Sequence, residues 1–148
     1  MFVCLECWQV LDNTFLHDLE EGMPCPIRGC GGSIFNIDEN FIAVIRLLNE
    51  KGYATSYCCC GHVWDIPGPA HAYIAFQDGV EQEELEPLPK GWKIYKSNQV
   101  AIIRAEFHGS NPVRMQLAIF EGIKAIAKWA LRLKLKEPEL FTTDIATQ

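Results

Sequence analysis

The sequence predicts an α+β fold: a small cysteine-bearing ribbon over residues 1–36, followed over 37–148 by a small antiparallel sheet with two helices packed on one face. Three observations predict it. Two close cysteine pairs, Cys4/Cys7 and Cys25/Cys30, stand near the N-terminus. Two segments carry apolar residues at helical spacing, 39–51 and the stretch that begins at Asn111–Pro112. Between these segments lie four short runs of aromatic and β-branched residues, interrupted by glycine and proline, which read as strands.

The ribbon rests on its sulfurs. Cys4 and Cys7 are two residues apart, and seventeen residues later comes Cys25-Pro26-Ile27-Arg28-Gly29-Cys30-Gly31-Gly32. Two tight turns, each aiming two thiolates inward, supply the four ligands of a tetrahedral ion. Four thiolates select a soft or borderline metal, with zinc first among them. The glycines suit a backbone that bends around an ion, and Pro24 and Pro26 stiffen its approach. The second pair is spaced by four residues where the plainest pattern has two, and the longer turn reaches the same geometry. All four ligands come from protein, so the site is closed and structural, and a segment this short folds largely on the free energy of metal binding.

The first helix follows Asp38, a residue suited to an N-cap. Phe41, Ile42, Ile45 and Leu48 form one stripe, Glu39, Ala43, Arg46 and Glu50 lie opposite, and Gly52 stands where a C-terminal cap belongs. Strands are expected over 53–60, 72–77, 92–95 and 100–106, with the acidic, proline-bearing segment 78–90 as a solvated connection. The second helix takes Asn111 as its cap and Pro112 in its first turn. Ile119, Ile123, Ile126, Ala130 and Leu133 make its apolar face. The alternation of Leu131, Leu133 and Leu135 with basic residues also allows an extended end, and Pro138 stops either form.

The second cysteine cluster, Cys58-Cys59-Cys60-Gly61-His62, ends the first of these strands and admits three readings. Cys58 and Cys60 share a strand face and fill core positions, as free cysteine commonly does. Alternatively, His62 lowers the pKa of Cys59 or Cys60 and makes a reactive thiolate, with His71 converging across the loop and Asp65 as the nearby third partner. Or Cys58, Cys60, His62 and His71 form a second metal site. No complete catalytic set is present. Trp64, Trp92 and Trp129 either stack on bases or pack over core edges.

Net charge is −6, which disfavours indiscriminate binding to nucleic acid. The charge is uneven: residues 1–89 hold 3 Lys/Arg against 14 Asp/Glu, and residues 90–148 hold 10 against 5. Either the basic part pairs with the acidic part, or it presents a basic face to a phosphate backbone or an acidic partner. No secretory signal and no bilayer-length apolar run is visible, so a cytoplasmic location without membrane attachment is expected.

Residues 1–36 resemble a zinc ribbon. The stretch from Asp38 to Phe76 resembles small zinc-ribbon proteins of bacteria and their phages, a family without an assigned activity. Ser56 to His62 is faintly similar to the wybutosine-type transfer-RNA modification family, which carries an arginine where this chain has His62; the similarity implies RNA among the candidate partners. The expectation is therefore a structural-zinc protein that binds a protein, RNA or DNA partner, with an enzyme at the Cys58–His62 strand end as the alternative. Self-assembly is a third reading, and the oligomeric state is open.

Overall fold

The computed structural model describes residues 1–11, 19–63, 68–97 and 100–136. Trp64, Asp65 and Pro138, all named above, lie outside the described residues. The architecture is α+β, with two antiparallel sheets.

The first sheet is the ribbon. β1 (Phe2–Cys4) lies between β2 (Val10–Leu11) and β3 (Ile34–Asn36), with Val3 opposite both Val10 and Phe35. The ribbon is joined to the rest of the molecule by packing: Val3 and Ile37 belong to the large apolar core, and Leu5 and Trp8 lie against it. The Arg46 guanidinium sits over the Trp8 ring, 5.9 Å from its centroid.

A 3₁₀ turn, Glu39–Phe41, leads into α1 (Ile42–Glu50). Phe41, Val44, Ile45 and Leu48 are buried, as the apolar stripe requires. Gly52 takes a left-handed φ of +86° at the helix end, a conformation glycine adopts without strain. Asp38 departs from expectation. Its side chain makes no capping hydrogen bond, and Oδ2 accepts instead from the Cys60 N–H at 2.8 Å.

The larger sheet has the order β4 (Thr55–Cys59), β5 (Ala70–Phe76), β7 (Val100–Phe107), β6 (Trp92–Ser97), all antiparallel. Its inner face carries Ala72, Ile74 and Phe76 from β5 and Ala101, Ile103 and Ala105 from β7, all buried. Both long helices contact the sheet and bury their apolar stripes in the same core. Trp92 is in that core, 6.5 Å from the rings of Phe41 and Phe107, so it does not stack on a base.

The connection after β5 contains a missed element, α2 (Gln82–Leu85), closed by a capping box between Glu81 and Glu84. Leu85 is fully buried, and its carbonyl accepts from Trp129 Nε1 at 3.1 Å. The long helix α3 runs Pro112–Arg132, with Asn111 Oδ1 accepting from the Arg114 N–H at 3.0 Å. Its helical conformation ends at Arg132, where Lys51 Nζ donates to the carbonyls of Ala130, Leu131 and Leu133 at 3.0, 2.7 and 2.6 Å. A lysine there satisfies carbonyls that the helix leaves open and opposes its dipole. Part of the basic charge pairs internally with the acidic connection: Lys136 with Glu84 at 2.8 Å, and Lys96 with Glu81 at 3.9 Å.

Candidate metal centre and the open sheet face

The four ribbon cysteines converge. One sulfur from each of Cys4, Cys7, Cys25 and Cys30 lies within 4.8 Å of all the others. Cys4 Sγ stands 3.6 Å from Cys30 Sγ, and Cys7 Sγ 3.8 Å from Cys25 Sγ. A tetrahedral ion with metal–sulfur bonds of about 2.3 Å holds its sulfurs about 3.8 Å apart, so the cage has the size such an ion needs. All four cysteines are free thiols.

Local sequence explains the convergence. The Cys4–Cys7 turn closes with the Trp8 N–H on the Cys4 carbonyl at 2.9 Å, and the Glu6 N–H points at Cys4 Sγ from 3.4 Å. Trp8 takes a positive φ of 58°, the cost of folding back so tightly. In the second turn, the Cys30 N–H reaches the Ile27 carbonyl at 3.0 Å, and Gly29 absorbs a φ of +84°. Gly32 is required by space: a Cβ there would stand 2.8 Å from Cys4 Sγ and 2.5 Å from Glu6 Cβ.

The electrostatics also suit a cation. Burial pushes the Cys25 thiol up to about 12, and the neighbouring sulfurs push the same way. A backbone hydrogen bond from Gly32 lowers Cys30, but burial and the Cys4 and Cys7 sulfurs together raise it. Burial would also raise Cys4, but N–H groups of Cys7 and Glu6 outweigh it and bring that thiol down to about 7. Cys4 ionises readily, while Cys25 and Cys30 resist. A divalent ion at the centre reverses that resistance, because it is the largest local charge.

Of the readings of the second cluster, the packing of Cys58 and Cys60 as core residues matches the structure. Strand alternation turns Cys58, opposite Ile74, toward the core, and Cys60 is 4% exposed with Sγ near the Gly61 carbonyl at 3.5 Å. Burial, reinforced by Asp38, pushes both thiols up to about 12, so neither is a thiolate at neutral pH. His71 lies on the outer face, its Nδ1 2.7 Å from Arg104 Nη2. Arginine can only donate, so that nitrogen accepts. Cys58, Cys60, His62 and His71 therefore do not converge. The groups that meet are Asp38, Cys59 and His62, mutually within 4.8 Å. The sequence held a signal for this: Cys59 and His62 have the two-residue spacing of a metal knuckle, with Gly61 at a φ of +84° between them.

The outer face of the large sheet carries a set of residues that no linear motif revealed. Register aligns Tyr57, Ala75, Ile102 and Tyr95 in one row across four strands, and Cys59, Tyr73, Arg104 and Lys93 in the next. Tyr57 is 73% exposed, Tyr95 49% and Tyr73 37%. Lys93 is exposed and Arg104 half-exposed, while Glu106 on the same face lies 3.7 Å from Arg104. A cleft of about 470 Å³ extends this face toward the ribbon, between Tyr57 and Tyr73 on one side and Leu5 and Phe35 on the other.

Among the described residues, no helix is long and apolar enough to cross a membrane. Comparison of the chain with protein-family models, curated proteins and solved structures gives no match.

Proposed function

We propose that the four ribbon cysteines hold a structural zinc ion and that the chain is a cytoplasmic module that binds single-stranded nucleic acid across its open sheet face. Zinc is the ion that four closed thiolates favour, and with no fifth position offered it orders the ribbon and does no chemistry. The observation that carries the nucleic-acid reading is the pair of cross-sheet rows, three exposed tyrosines interleaved with Lys93 and Arg104. Tyrosine rings stack on any base, and the cations follow the phosphates. Tyr57 and Tyr95 are three strand spacings apart, about 14 Å, which gives a platform and not a single-ring contact. The net negative charge agrees with selectivity: Glu20 and Glu21 on the ribbon side repel a backbone that strays from the basic half. The thiol-enzyme alternative draws nothing from Cys58 and Cys60, which burial keeps protonated.

The test is fluorescence anisotropy with short single-stranded RNA and DNA across a salt series. Each stacked base contributes about 1–3 kcal/mol, so Tyr95→Ala and Tyr57→Ala should each weaken binding roughly 5- to 100-fold. Lys93→Ala should weaken it evenly across sequences and lower the salt slope by about one. A Tyr57/Tyr73/Tyr95 triple alanine variant that binds as the wild type does, or a wild type that binds nothing at low salt, sinks the reading.

A further inference from the structure

We propose that Asp38, Cys59 and His62 form a second divalent-metal site at the edge of the cleft between ribbon and sheet. This site is independent of the nucleic-acid reading.

The geometry suits an ion site. Cys59 Sγ is 3.6 Å from His62 Nε2, and Asp38 Oδ2 is 3.8 Å from the same Nε2. Here thiol and carboxylate both face one nitrogen, and three donors surround one point. The spacing fits zinc: with bonds of about 2.3 Å to sulfur and about 2.1 Å to nitrogen, tetrahedral ligands stand about 3.6 Å apart. The nitrogen–oxygen distance is a few tenths of an ångström longer than the tetrahedral value of about 3.4 Å, within the movement of one side-chain torsion.

The surroundings are those of a built site. Asp38 does not cap α1 as its position suggests; the Cys60 N–H fixes the carboxylate at 2.8 Å and turns it toward His62. Such outer hydrogen bonds orient metal ligands. Gly61, at a φ of +84°, lets the chain turn between Cys59 and His62, as the ribbon knuckles turn between their own ligands. The three ligands open onto a cleft of about 530 Å³ that Phe2, Glu20, Glu21 and Tyr73 also line. One thiolate and one carboxylate neutralise a divalent ion, and the glutamates repel a further anion. Among the described residues the set offers three protein ligands. A thiolate–imidazole–carboxylate set matches zinc better than magnesium or calcium.

Zinc content is measured by mass spectrometry after reconstitution with excess zinc and desalting. Wild type should hold two ions per chain. Cys59→Ser, His62→Ala and Asp38→Asn should each hold one, while Cys58→Ser and His71→Ala should still hold two. A wild type with one ion overturns the site, as do two ions in both Cys59→Ser and His62→Ala. A cobalt titration of the wild-type protein decides the matter even if a substitution unfolds the chain. Two steps are expected, the second with a thiolate charge-transfer band roughly one quarter of the first, because it has one sulfur against four. A single step overturns the proposal.

Discussion

The ribbon and the sheet–helix body reach a folded state by different means. Among the described residues, the ribbon's own apolar cluster contains four buried side chains, two of them the metal-facing Cys4 and Cys25. The cluster of the body contains twenty-four, including Val3 contributed by the ribbon. Four side chains cannot offset the conformational entropy of ordering some thirty residues at about 1–2 kcal/mol each. With the proposed zinc bound, the ribbon therefore depends on its ion, and the body on burial. The comparison teaches that Val3, Leu5 and Trp8 are the points where one kind of stability is lent to the other.

Chelation breaks the comparison most forcefully. Structural zinc contributes about 10–16 kcal/mol in small metal-dependent peptides, so removing it should unfold the ribbon. Hydrogen exchange should then show lost protection in β1 and β3, with β5 and β7 still protected. If the body loses protection in step, the two regions are one cooperative unit. The converse perturbation is Phe41→Ala, which empties a fully buried ring beside Trp92. It should lower global stability by about 3–5 kcal/mol in a urea titration while the folded protein keeps its ribbon metal.

Legibility in the sequence follows the same division. The ribbon ligands could be read because metal sites write themselves in spacing: Cys4/Cys7 and Cys25/Cys30 are where the sulfurs meet. Helices α1 and α3 could be read because their stripes are long and their ends marked by Gly52 and Asn111. Four residues of α2 with one anchoring Leu85 are too short to generate a period, so an element that supports Trp129 reads as loop. Register is also invisible in one dimension. Tyr57, Tyr73 and Tyr95 are scattered through 39 positions of sequence and share one face only when β4, β5, β7 and β6 pair. The sequence pairs Cys59 with His62 as a candidate thiolate and not as a metal ligand, for a related reason. Strand parity groups Cys58 with Cys60 on one face, and the turn at Gly61 brings the odd member, Cys59, back to His62.

Two glycines sharpen the comparison at smaller scale. Gly122 of α3 lies against the Phe107 ring, with no room for a Cβ. Gly122→Ala should lift the helix off β7 and lower the stability of the body by about 1–3 kcal/mol, seen as a reduced urea midpoint with metal affinity unchanged. Gly32 of the ribbon has no room for a Cβ beside Cys4 Sγ. Gly32→Ala should do the reverse, weakening metal binding by roughly tenfold in a competition titration with a chromogenic chelator while the urea midpoint of the body holds. Equal effects of both substitutions on both measurements would erase the distinction between the regions.

The smallest effect lies where the body's C-terminal end meets α2. Burial alone would raise the Glu84 carboxyl, but Lys136 at 2.8 Å and the Glu81 N–H more than offset it and leave that group below the usual carboxylate range. A carboxyl whose pKa is lower folded than unfolded adds stability above its unfolded value, and the contribution disappears as pH falls through the folded value. The pair is partly exposed, so it is worth no more than about 1 kcal/mol. Lys136→Met should therefore cost up to that amount at neutral pH, measured by urea titration, and the difference from wild type should vanish once the pH drops below the folded Glu84 value. A difference that persists in acid would assign the effect of Lys136 to its packing against Tyr53, whose ring lies 5.6 Å from its ammonium, and to its bond with the Gly79 carbonyl. The C-terminal end of the body would then be held as the rest of it is, by contact and not by charge.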